Sequence, residues 1–189
     1  MPRNNNDDRE LGKLWEKNFC DLANWYGKAF FAIQIGRTGA ATWSQGNRAQ
    51  LLPDITIYQS PCEHHEIKHK NPTAPSRFRE RRYGYEAYRV YHLVKFHKTC
   101  EQPVFYTVHD WELTLSQIPT VGVRSSGIWM PNALQHWRTV DFTVLLATMQ
   151  QTTPEHFDTY VNGEMTKRPG FYWPITLWQG LDEVWGLPR

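Results

Sequence analysis

Leu51-Leu52-Pro53-Asp54-Ile55 and, with eleven residues between the aspartate and the glutamate, Glu66-Ile67-Lys68 are the stretches on which the reading of this chain turns. Residues 50–58 alternate well enough for a strand, Ser60-Pro61 starts a turn, and residues 63–70 read as a second strand, so the two form a hairpin. Glu66 and Lys68 stand two apart, which sends both side chains to one face of their strand. The hairpin brings Asp54 beside Glu66. Two carboxylates on one face repel each other unless a cation neutralises them. Oxygen-only ligands with open positions favour a hard ion such as magnesium, which keeps waters and accepts phosphate oxygens. Lys68 adds a point charge that can orient an attacking water, lower its pKa or steady a pentavalent phosphate. Metal and lysine beside a basic loop together describe phosphodiester hydrolysis.

Outward from the hairpin, residues 7–26 read as a helix, because Leu11, Leu14, Trp15, Phe19, Leu22 and Trp25 recur at spacings of three and four. Asp7 or Asp8 caps its start and Gly27 ends it. Residues 29–35 are β-like and almost wholly apolar, and residues 37–47 form a glycine-rich connection with room for a short strand around Trp43. Two prolines make residues 71–76 a loop. Residues 78–100 then read as a helix with Ala87, Val90, Tyr91 and Val94 on one face, Gly84 offering a later start. Residues 103–108 are a short buried strand. Beyond it, the apolar run 140–149 fits either periodicity, and Thr153-Pro154-Glu155 resembles a helix start that closes near Gly163. Residues 169–189 are Trp-rich with scattered Pro and Gly. A helix, a strand, a hairpin, a helix and a strand imply a mixed sheet, α/β or α+β.

This order, with Pro53-Asp54 followed by Glu66-Ile67-Lys68, resembles the PD-(D/E)XK nuclease superfamily over roughly residues 8–110. The resemblance implies an α/β restriction-endonuclease-like core, a central mixed β-sheet flanked by helices, with an aromatic-rich C-terminal extension. It divides the chain into a disordered N-terminus (1–7), a nuclease core (8–110) and an extension packed on the same domain (111–189). Asp54 and Glu66 then hold magnesium, with manganese as a substitute, together with the Ile67 carbonyl. Lys68 positions the attacking hydroxide. Members often carry a further Glu on the first helix facing the same metal, and Glu16 stands in that role, with Glu10 the alternative from the same helix. The implied substrate is DNA rather than RNA, and a homodimer is compatible with the way many relatives act. A catalytically inactive nucleic-acid-binding module of the same fold is the alternative.

Net charge is only +2, but its distribution is uneven. Residues 66–98 hold nine Lys/Arg against three Asp/Glu, while residues 99–189 hold five against nine, which suggests one face built for polyanions. Lys70, Arg77, Arg79, Arg81 and Arg82 are the candidate phosphate contacts, and Arg37 and Arg48 bracket a second region. A solvated basic surface accounts for the same charges. Gln34 is better read as the polar end of a buried strand than as a site residue.

The pairs Cys62/His65 and His97/Cys100 have zinc-ligand character. They lie far apart in sequence and one of them crosses a turn, so buried Cys and surface His is the stronger reading. Forty per cent hydrophobic residues and nine Trp, six of them after Asp110, are enough for a folded core in both halves. There is no apolar run long enough to span a membrane, no secretory h-region and no regular cysteine framework, so the expected setting is intracellular, cytoplasmic or nucleoid-associated.

Overall fold

The computed structural model describes residues 5–26, 31–34, 42–45, 48–51, 53–59, 61–70, 80–110, 136–149, 154–161 and 164–186. The chain has an α/β fold: a central mixed sheet with helices on its faces. Helix α1 (Asn5–Trp25) precedes strand β1 (Phe31–Gln34), and a small separate ribbon, β2 (Thr42–Gln45) with β3 (Arg48–Leu51), follows. Then come β4 (Ile55–Tyr58), β5 (Glu63–Lys70), β6 (Arg82–Glu86), α2 (Ala87–Cys100) and β7 (Val104–Asp110). After residues 111–135 the chain continues as β8 (Trp137–Asp141), α3 (Phe142–Met149), β9 (Glu155–Val161) and β10 (Glu164–Pro174). A 3-10 turn (Ile175–Leu177), β11 (Gln179–Gly180) and the short α4 (Leu181–Val184) complete the order.

The main sheet runs β1-β4-β5-β7-β8-β11. All its pairs are antiparallel except β5 with β7. A parallel pair needs a crossover, and α2 supplies it, leaving through Glu101 in a left-handed conformation (φ 54). Helix α1 lies on one face, where Trp15, Phe19, Leu22 and Ala23 pack with Ile55, Ile57, Ile67, Trp137, Leu181 and Trp185. The other face carries Val104, Tyr106, Val108 and Val140, covered by Tyr83 and Tyr85 of β6, by Val90 and Leu93 of α2, and by Phe171 and Trp173 of β10. Each large apolar side chain so buried stabilises the fold by about 1.5–3 kcal/mol. A polar ladder crosses the α1 face: His65 Nδ1 lies 2.9 Å from Thr107 Oγ1, which lies 2.8 Å from Thr139 Oγ1.

Three expectations need correction. The strand expected over residues 50–58 is two strands, because Pro53 has no amide proton for a ladder and the chain bends at Asp54. The helix expected from Phe78 begins only at Ala87. Before it, β6 buries Tyr83 and Tyr85 at a period of two, and its partner is β10, far along the chain. The helix start at Thr153 is also absent: Glu155–Val161 is a strand paired antiparallel with β10 from Glu155↔Gly170 to Val161↔Glu164. The apolar run 140–149 divides, its first two residues ending β8 and the rest forming α3.

Gly84 shows how tightly β6 is held. It pairs with Tyr172, whose ring lies over it: a Cβ at Gly84 would fall 2.8 Å from Tyr172 Cδ1 and closer still to Cε1. Tyr172 is itself buried, so its ring has little room to yield. Gly84→Val is expected to destabilise the protein by about 2 kcal/mol through overpacking, read as a lowered midpoint in denaturant with an unchanged slope.

Candidate active site

The hairpin register decides where the candidate side chains lie. Ile55 pairs with His65 and Thr56 with His64, so the chain entering β4 brings Asp54 beside Glu66. On β5, His65 and Ile67 turn to the α1 face, His65 against Phe19 and Phe105. Glu66 and Lys68 therefore turn to the α2 face, beside Tyr106 and Val108 of β7.

Four charged groups meet there. Asp54 Oδ2 accepts the Ile67 N–H at 2.9 Å and the Lys68 ammonium at 3.1 Å. Lys68 Nζ also donates to Glu66 Oε1 at 2.6 Å and to the Ile67 carbonyl at 2.8 Å. Arg89 Nη1 donates to the same Glu66 oxygen at 2.7 Å, and the Tyr85 hydroxyl donates to it as well. The Lys68 ammonium stands 5.4 Å from the centre of the Tyr85 ring. Glu66 is sealed, at 1% exposure, whereas Asp54, Lys68 and Arg89 keep 12%, 21% and 18%, so the cluster opens to solvent on one side.

Its electrostatics follow from this packing. Burial, helped by the charge of Glu66, pushes the Asp54 carboxyl above the usual range, against the pull of Lys68 and Arg89. Burial also works against the Glu66 charge, but Lys68 and Arg89 outweigh it and hold that carboxyl below its ordinary value. Lys68 is held above the ordinary lysine value by Asp54 and Glu66 in spite of burial. Burial and the charge of Glu66 keep Tyr85 a neutral hydrogen-bond donor. Two carboxylates facing a lysine and an arginine leave the cluster close to neutral.

The structure brings together Asp54, Glu66, Lys68 and the Ile67 carbonyl. It does not bring Glu16 to them: α1 covers the opposite face of the sheet, and the Glu16 charge acts instead on Cys20. Among the described residues no three His, Cys, Asp or Glu side chains converge on one point, so the oxygen set is two carboxylates and a main-chain carbonyl. That set is hard and anionic. It already surrounds a cation, the Lys68 ammonium, and in donor chemistry it fits magnesium or manganese.

Of the phosphate-contact candidates, Arg81 is exposed and Arg82 is half-buried with Nη2 3.4 Å from Glu80 Oε1. Lys70 ends β5 and Arg48 begins β3. Arg37, Arg77 and Arg79 lie outside the described residues. Among the described residues the Cys/His pairs form no group of three ligands: Cys62 and Cys100 lie near each other, but His65 faces α1 against Phe19. The expected burial is reversed, with His65 buried and both of these cysteines half-buried.

Arg89 and Tyr85 are the residues of this cluster that sequence reasoning missed. With residues 78–100 read as one helix, they were two ordinary positions of a basic, aromatic surface. The signal was the alternation Tyr83/Tyr85 running directly into a helix, which puts Tyr85 at the end of a strand and Arg89 in the first turn after it.

No known family model and no curated protein matches this sequence. Among solved structures, the chain is similar to that of Hjc, a Holliday junction resolvase from the archaeal hyperthermophile Archaeoglobus fulgidus. The similarity spans 95% of this chain and 98% of that one, at 13% identity and a TM-score of 0.46.

Proposed function

We propose that this protein is a magnesium-dependent nuclease that hydrolyses phosphodiester bonds in DNA, cutting within the strand. One observation carries the reading: Asp54 Oδ2, Glu66 Oε1 and the Ile67 carbonyl converge on a single, partly exposed cation position on the α2 face of the sheet. A divalent ion held by these oxygens would polarise a phosphate oxygen and supply hydroxide near neutral pH.

The chain's own residues do the rest. Asp54 is fixed by the Ile67 N–H, and Glu66 by Tyr85 and Arg89, so the two carboxylates keep their aim without a ligand. The Lys68 side chain reaches from the same strand as Glu66 and keeps a compact positive charge beside the reacting phosphate. Arg81, exposed just before β6, offers the DNA backbone a positively charged contact.

A second reading draws on one further observation. Lys68 and Arg89 already neutralise the two carboxylates, which is what an ion-pair cluster in a non-cutting DNA-binding module would show. Incubation with supercoiled, linear, branched and single-stranded DNA in magnesium separates the two. Nicked or linear product from any of them supports the nuclease. Retention of DNA without product in magnesium or manganese leaves the binding module.

A further inference from the structure

Lys68 occupies the place where a metal would sit. Its ammonium touches all three oxygens of the cation set, at 2.6, 2.8 and 3.1 Å, whereas Arg89 touches only Glu66. A divalent ion and an ammonium cannot share that space, and their charges repel. The lysine has somewhere to go. Its stem is flexible, its side chain keeps 21% exposure, and the cluster opens on that side.

We infer that Lys68 is the built-in counter-ion of the metal site, and that a divalent ion enters only by displacing its ammonium. The inference rests on the metal-binding reading above and adds a consequence to it. Until metal arrives, the lysine satisfies Asp54, Glu66 and the Ile67 carbonyl and is not available to a substrate. Once displaced, it is a free cation at the mouth of the site, suited to a phosphate group. A phosphate that draws the ammonium outward in turn clears the oxygens for metal. Metal and DNA therefore bind with positive coupling, and linkage makes the coupling the same in both directions. Arg89, which contacts none of the oxygens but Glu66 Oε1, keeps that carboxylate oriented throughout.

The test is manganese affinity in the absence of DNA, measured by calorimetry or by the paramagnetic signal of free Mn2+, on the full chain. Lys68→Met and Lys68→Gln are expected to bind Mn2+ about tenfold more tightly than the wild type, and Asp54→Asn much more weakly. Acetic anhydride labelling of the wild-type chain supplies a readout that needs no variant: acylation of Lys68 should rise when Mn2+ is added. Equal affinities in wild type and both Lys68 variants, with Asp54→Asn still weakened, would overturn the displacement and keep the metal site. If Asp54→Asn binds Mn2+ as the wild type does, or if neither the wild type nor a Lys68 variant binds it, the metal reading itself falls. Lys68 labelling that is indifferent to Mn2+ in a chain that binds the ion also overturns the displacement.

Discussion

Asp54→Ala is expected to cut DNA cleavage in magnesium by about a thousandfold or more while leaving the protein folded. The carboxylate is one of three oxygens around the cation position, and with Glu66 it is one of only two that carry charge. Its removal costs the fold something: the Ile67 N–H loses its acceptor, worth about 1–3 kcal/mol when such a group is buried. Relief of repulsion between two crowded carboxylates offsets part of that. Lys68 keeps Glu66 and the Ile67 carbonyl as partners. A modest fall in melting temperature beside near-complete loss of product, with DNA still retained but more weakly, is the expected pattern. Cleavage at the wild-type rate by folded Asp54→Ala would remove Asp54 from the site.

Glu66→Ala is expected to behave differently, although sequence reasoning treats the two carboxylates alike. Glu66 accepts hydrogen bonds from Lys68, Tyr85 and Arg89 and is almost fully enclosed. Without it, Arg89 loses its carboxylate partner, Tyr85 loses its acceptor, and Lys68 retains only Asp54 and a carbonyl. Breaking a buried ion pair from one side strands charge in a low-dielectric setting, here at a cost of about 3 kcal/mol. Glu66→Ala should therefore lose both activity and stability. Combining it with Arg89→Met, which removes the stranded cation, should recover stability but not cleavage. Chemical denaturation of the single and double variants measures this directly. A Glu66→Ala midpoint equal to the wild type would mean that the Arg89–Glu66 pair contributes nothing to the fold.

The contrast between these carboxylates marks where the sequence stops being legible. Asp54, Glu66 and Lys68 were readable because a hairpin is a local structure: a turn signal at Ser60-Pro61 and a period of two fix which side chains share a face. Helix α1 was readable for a similar reason, since its apolar stripe is local and lies against one sheet face. Strand β6 was not. It joins α2 without a proline, a glycine or a side-chain cap, and its partner, β10, begins at Glu164. Strand β9 likewise owes its form to β10, whatever the local helix-start pattern at Thr153-Pro154 suggested. Because β6 delivers Tyr85, and the turn after it delivers Arg89, the clamp on Glu66 was hidden with it. Glu16 lies on α1, across the sheet from the cluster: the resemblance implied a role, but spacing along a helix does not say which side of a sheet the helix will cover.

Lys68 carries the most weight, because one side chain is asked both to satisfy Asp54, Glu66 and the Ile67 carbonyl and to serve the reaction. Magnesium is small and strongly polarising; calcium is larger, tolerates irregular coordination and acidifies water less. The most direct measurement is cleavage of one plasmid DNA by the wild type and by Lys68→Ala, in magnesium, in calcium and in chelator, with DNA retention followed in parallel. Product is expected only in magnesium, formed by Lys68→Ala about a hundredfold or more slowly than by the wild type, with DNA retained by both proteins in either metal. DNA retention that ignores divalent ions, with no product from the wild type in magnesium or manganese, would contradict this reading.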